Sequence, residues 1–273
     1  MKALDKYNAR VDAAGSLLCV GLDSDIGMIP AAFSADEWPQ LAFNRAIIDA
    51  SAPYASAYKF NMAFYEANGA SGWRQLAASL EYLRQSQPDI LTICDAKRGD
   101  IGNTSAAYAR SIFDELGFDA VTLNPYLGRD ALQPFLEYEG KACIILCRTS
   151  NPGSAEIQNL RLPQGPLWQV VAEMVVEEWN ENGNCMLVAA ATNPEDMTRI
   201  RAIAGDMTLL VPGIGAQGGD VDAVIRAGLN SAGRGLIINS SRGIIFADDP
   251  ATAAASLRDA INACRDDLTL PSA

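Results

Sequence analysis

The chain has 273 residues, 49% of them hydrophobic and 20% charged, with a formal net charge of −12. That acidity argues against a broad surface for nucleic acid or anionic membrane, both of which need a basic face. Histidine is absent, which excludes Ser–His and Cys–His nucleophilic schemes and His-bound zinc and leaves acid–base chemistry to Lys, Asp, Glu, Tyr or Cys.

Residues 1–16 read as a helix. Short apolar, β-branched runs then alternate with longer helix-compatible segments. The first four runs are LLCVGLD (17–23), AYKFN (57–61), ILTICDAK (90–97) and AVTLNPY (120–126). The second four are ACIILCRTS (142–150), CMLVAAAT (185–192), TLLVPGIG (208–215) and GLIINSS (235–241). Helical stretches such as QLAFNRAIIDASA, GWRQLAASLEYLRQ and LWQVVAEMVVEEWN separate them, and the last runs from Ala251 towards Asp267. Eight strand–helix units in about 250 residues predict a single-domain (β/α)8 TIM barrel over 1–273, with 1–16 laid across its bottom. An open doubly wound sheet is the competitor, but no strand is followed by G-x-G-x-x-G with an acidic residue about 20 positions on.

The segment 151–166 reads equally as a surface loop or as a lid, and 24–39 reads the same way with less reason for function. Trp73, Trp168 and Trp179 fall in helical stretches and read as packing. The six cysteines include no C-x-x-C pair and read as reduced core residues. No apolar leader and no apolar run of about 18 residues appears, so the expected location is the cytoplasm.

In such a barrel, chemistry sits where strands end and βα loops begin. Unusual polar residues cluster there: Asp23, Lys59 and Asn61, Asp95 and Lys97, Thr149 and Ser150, Pro212 to Gln217, then Ser241 and Arg242. Strand alternation places Ile93, Asp95 and Lys97 on one face. The bland reading of Asp95–Lys97 is a buried ion pair, which gains little stability; with five lysines against sixteen arginines, a site is the better explanation. Asp100, just before a helix opening near Gly102, reads either as an N-cap or as part of the site. A lysine flanked by carboxylates is favoured as ammonium, which suits it to stabilise and protonate a carbanion. The GIGAQGGD run (213–220) offers backbone N–H groups and a helix start, and Arg242 a guanidinium fork, for a phosphate.

The run DAKRGDIGNT (95–104) resembles the D-x-K-x-x-D-I-G-x-T signature of the orotidine 5′-phosphate decarboxylase family, and VPGIGAQGGD (211–220) resembles its phosphate loop. The resemblance spans essentially the whole chain, and VGLDSD, YKFNMAFYE and TSNPGS are similar to the longer bacterial branch (type 2). It implies cofactor-independent decarboxylation of orotidine 5′-phosphate to uridine 5′-phosphate, with Lys97 as proton donor to C6 and Asp95 beside the departing carboxylate. It further implies Lys59 and Asp23 at the ribose, Ser150 at the pyrimidine edge, and Pro212, Gln217 and Arg242 at the phosphate. Asp100 and Thr104 would reach a neighbouring subunit's site in a homodimer. One departure is Ser241, which stands before Arg242 where the family's short branch has Gly. The alternatives are a Mg²⁺-dependent sugar-phosphate decarboxylase or aldolase of the same barrel group, and a non-catalytic nucleotide-binding barrel.

Overall fold

The computed structural model describes residues 1–192, 194–214 and 220–269. Eight parallel strands close into a barrel: β1 (Leu18–Gly21), β2 (Ala57–Asn61), β3 (Leu91–Arg98), β4 (Ala120–Leu123), β5 (Ala142–Arg148), β6 (Cys185–Ala189), β7 (Leu209–Val211) and β8 (Leu236–Ser240). Their order around the barrel is β1-β8-β7-β6-β5-β4-β3-β2. Strands covered by helices outside and by their own side chains inside need apolar residues on both faces, and β1, β4, β6, β7 and β8 are buried along their whole length.

The first helix, Ala3–Ala14, closes the bottom. The Ala3 amide donates to the Gly140 carbonyl (3.0 Å), Lys6 Nζ to Asp119 Oδ2 (2.8 Å), and Arg10 to the carbonyls of Ala52 and Ala55. Each acceptor lies just before a barrel strand, and the buried Tyr7 hydroxyl donates to Leu236 at the start of β8. Asp119 also takes the Thr92 amide and hydroxyl, both at 3.0 Å, so one carboxylate ties the helix to β3 and β4.

The connecting segments carry more structure than a loop reading assigns. Residues 24–39 contain a helical turn, Ala31–Ser34, before the helix Pro39–Ser51 begins. Residues 151–166 contain a short helix, Ser154–Gln158, and a two-stranded antiparallel ribbon pairing Arg161–Leu162 with Gly165–Pro166. Neither piece is long enough for a periodic apolar pattern to register, so composition alone reads as loop. Trp168 and Trp179 are buried as expected; Trp73 is 36% exposed and borders an outer cleft. All six cysteines are free, and all but Cys264 are buried.

Beneath the β1 loop a buried polar network fixes the backbone that carries Asp23. Tyr65 donates its hydroxyl to the Leu22 carbonyl (3.0 Å) and accepts from Asn44 Nδ2 (3.0 Å), which also donates to Ser79 (2.9 Å). Gly72, in the helix Gly69–Ser86, lets this network close: a Cβ there would lie 1.9 Å from the Tyr65 carbonyl oxygen. An alanine inside a helix normally gains about 1 kcal/mol over glycine, but the clash is with backbone and outweighs it. Gly72→Ala is therefore expected to destabilise the fold by roughly 1–3 kcal/mol in urea unfolding; a gain in stability would show that the contact relaxes freely.

Candidate active site

Four charged side chains stand in alternating sign at the C-terminal mouth of β1, β2 and β3. Asp95 is the centre. Its Oδ2 accepts from Lys59 Nζ at 3.0 Å, and its Oδ1 accepts from Lys97 Nζ at 2.6 Å. Lys59 Nζ also lies 3.5 Å from Asp23 Oδ1, an ion pair too long for a good hydrogen bond. Parallel pairing sets this up: Gly21 pairs with Lys59, and Asn61 with Asp95.

Burial separates the two lysines. The Lys59 side chain is 5% exposed and the Lys97 side chain 51%, so Lys59 is a buried counter-charge while Lys97 faces the open cavity. Burial alone would push the Asp95 carboxyl up, but the Lys59 and Lys97 ammonium groups overcome it and hold it well below the usual carboxylate range. Burial alone would likewise lower Lys59, and Asp95 and then Asp23 raise it above the ordinary lysine value instead. Cys19, buried beside this cluster, is pushed up to about 12 by burial and is no thiolate nucleophile at neutral pH.

Lys97 does not continue β3 as regular alternation predicts. Its φ is +48°, and pairing with β4 jumps from Cys94–Val121 to Arg98–Leu123. The chain bulges, and Lys97 still meets Asp95. Gly99 then passes so close to the Asn124 carbonyl that a Cβ would sit 2.6 Å from it.

The mouth encloses a cavity of about 460 Å³ that brings together Asp23, Lys59, Asp95, Lys97, Ser150, Pro212 and Arg242. β3 and β7 lie four strands apart in the barrel order, so Lys97 and Pro212 stand on opposite walls and a ligand touching both must span the mouth. Gln217 and most of the glycine-rich run lie outside the described residues. Ser241 lines the same wall as Arg242, and the space for its side chain comes from β1: a Cβ on Gly21 would lie 1.9 Å from Ser241 Oγ. Asp100 and Thr104 do not line this cavity. The Asp100 carboxylate accepts from the adjacent Ile101 amide (2.8 Å), and the helix Gly102–Arg110 starts with no side-chain cap, which removes the N-cap reading. Thr104 is exposed and lines an outer cleft with Trp73, Arg98 and Tyr108.

Several lining residues escape strand-end reasoning, Thr122, Asn239 and Gln158 among them. Thr122 hydrogen-bonds Asp95 from β4 (2.9 Å). Asn239 is buried in β8. Gln158 comes from the 151–166 segment, accepting from the Thr149 amide (3.0 Å) and donating to its hydroxyl (2.8 Å). Among the described residues no group of three or more carboxylates and thiols is placed to hold a metal ion, and no helix is long and apolar enough to cross a membrane.

A closed parallel barrel whose ionisable groups gather at its C-terminal mouth has the layout of a (β/α)8-barrel enzyme. The chain belongs to the orotidine 5′-phosphate decarboxylase / HUMPS family, whose model matches residues 16–257. It is 47% identical over 273 residues to an orotidine 5′-phosphate decarboxylase of Dehalococcoides mccartyi, covering 96% of this chain and 98% of that one. It is 49% identical to one from Roseiflexus castenholzii, covering 91% and 93%. Among solved structures, the OMP decarboxylase of Leishmania donovani superposes with a TM-score of 0.87 at 40% identity over 97% of this chain and 99% of that one. The UMP synthase of the same organism superposes at 0.89 and 42% identity; the match covers 97% of this chain but 57% of the synthase.

Removing the shared carboxylate leaves Lys59 buried beside only a distant partner, so Asp95→Asn is expected to lower stability at pH 7 by about 3–5 kcal/mol. Because the folded carboxyl is depressed, its contribution is full above about pH 4 and is lost as pH falls below that. The gap between wild type and variant in urea unfolding should therefore narrow between about pH 4 and pH 2; a gap independent of pH would contradict the shared-carboxylate description.

Proposed function

We propose that the protein decarboxylates orotidine 5′-phosphate to uridine 5′-phosphate without a cofactor. The observation that carries this reading is a half-exposed ammonium, Lys97, bonded to a carboxylate whose other oxygen is held by a buried ammonium, all facing one cavity. Relatives named for this activity at 47% and 49% identity support it.

In this reading the C6–carboxylate bond breaks and leaves its electron pair on C6 as CO₂ departs. The Lys97 ammonium stabilises that pair and gives it a proton, forming the C6–H bond; the neutral amine then takes a proton from solvent. An ammonium about 4 Å from the developing carbanion is worth about 4 kcal/mol at an effective dielectric of 20. Asp95 stands beside the departing carboxylate, where like-charge repulsion falls as CO₂ leaves. Lys59 keeps Asp95 ionised and, with Asp23, meets the ribose. Ser150 meets the pyrimidine edge. Pro212, Gln217 and Arg242 take the phosphate on the opposite wall, a use of the β7 and β8 loops that recurs in these barrels.

Asp100 and Thr104, which miss their own chain's cavity, serve the site of a second copy in a homodimer. The outer cleft that Thr104 lines supports this reading, because the exposed Trp73 and Tyr108 line it too, and large exposed apolar side chains gathered together mark contact surfaces.

Lys97→Ala should lose at least about 10³-fold in kcat, as removal of a proton donor and its charge does, while uridine 5′-phosphate still binds in calorimetry. Near-normal turnover would refute the assignment, and so would a strict requirement for Mg²⁺ after chelation. Mixing inactive Lys97→Ala with inactive Asp100→Asn should restore about a quarter of the wild-type rate, because half the dimers carry one intact shared site. No recovery would place Asp100 in its own subunit's site.

A further inference from the structure

We propose that Thr122 is a positioning residue for the Asp95–Lys97 pair, its hydroxyl holding the Lys97 backbone and the Asp95 carboxylate in one geometry. The catalytic part of this inference rests on the decarboxylase reading above; the backbone part does not.

Lys97 sits at a local defect of β3. Lys97 is the one non-glycine among the described residues with a positive φ, a conformation that side chains with a Cβ adopt only where surrounding structure enforces it. The bulge between β3 and β4 takes the Lys97 amide out of the strand ladder. An amide that leaves the ladder at such a part-buried position needs another partner. Here the partner is a side chain: Thr122 Oγ1 accepts from Lys97 N at 2.9 Å. The same oxygen donates to Asp95 Oδ1 at 2.9 Å.

The direction of both bonds is forced. An amide can only donate and an ionised carboxylate can only accept, so the single hydroxyl proton must point at Asp95 while a lone pair faces Lys97. Asp95 Oδ1 is the oxygen that also takes Lys97 Nζ. One hydroxyl thus closes a ring that runs through the Lys97 amide, the Lys97 side chain, the Asp95 carboxylate and back. Thr122 is 1% exposed, and as a β-branched residue its χ1 is stiff, so the ring has a rigid anchor on the neighbouring strand. Valine has nearly the same shape and can neither accept from the amide nor donate to the carboxylate.

The test compares Thr122→Val with Thr122→Ser in the full chain, reading kcat, affinity for uridine 5′-phosphate, and hydrogen exchange of the Lys97 amide. The valine variant should lose roughly 10–100-fold in kcat, as small misplacements of a reacting group do, with product affinity within about threefold. Its Lys97 amide should exchange at least about tenfold faster, while amides elsewhere in β3 are unchanged. Serine, which keeps the hydroxyl, should restore all three to within about threefold. Thr122→Ala serves the same comparison if valine disturbs folding. A valine variant with wild-type turnover and wild-type Lys97 exchange overturns the inference, as does a serine variant impaired as much as valine. If the wild-type protein itself shows no turnover, the decarboxylase reading falls, and the exchange of the Lys97 amide alone decides the positioning claim.

Discussion

The site is organised around one carboxylate shared by two ammonium groups. Lys59 is buried, and an ammonium taken out of water costs several kcal/mol unless a well-placed anion answers it. Asp95 is that anion, and the two lysines keep it ionised against the cost of its own burial. Neither partner is tolerable alone. The pair is a poor investment for stability compared with packed apolar residues of the same volume, which is why it reads as chemistry: burial immobilises Asp95 and leaves its second oxygen to orient Lys97 at the cavity wall.

The barrel supplies the rest by placement. Lys59, Asp95 and Lys97 sit on β2 and β3 and Asp23 just after β1, while Pro212, Ser241 and Arg242 follow β7 and β8. The closed strand order puts Lys97 across the mouth from the β7 wall, so a ligand that touches both walls must span the mouth. The bottom of the barrel, sealed by the first helix through Lys6, Tyr7 and Arg10, carries contacts to strand starts. Function and stability are thus divided between the two ends, as the (β/α)8 architecture allows.

Much of this was legible in the sequence. Eight apolar runs alternating with helical stretches announced the barrel, and polar residues clustered at the strand ends marked Asp23, Lys59, Asp95 and Lys97 as candidates, although a strand end can also carry charge simply because it has reached water. What could not be read has physical causes. Thr122 lies inside AVTLNPY, where threonine is an ordinary strand former, and nothing local distinguishes a hydroxyl that bridges two strands from barrel filling. Gln158 belongs to a helix of five residues, below the length at which periodicity speaks. The alternation rule placed Lys97 beside Asp95 for the wrong reason: a bulge with a positive φ, rather than a regular pleat, brings them together. Gly21 and Ser241 are far apart in sequence, and only their contact shows how a side chain is accommodated before Arg242.

The central claim, that this network breaks a carbon–carboxylate bond and protonates the carbon left behind, is tested most directly by turnover in deuterium oxide. Purified protein given orotidine 5′-phosphate should release one CO₂ per substrate and yield uridine 5′-phosphate carrying one deuterium at C6. Unchanged substrate, or product without deuterium at C6, would contradict it.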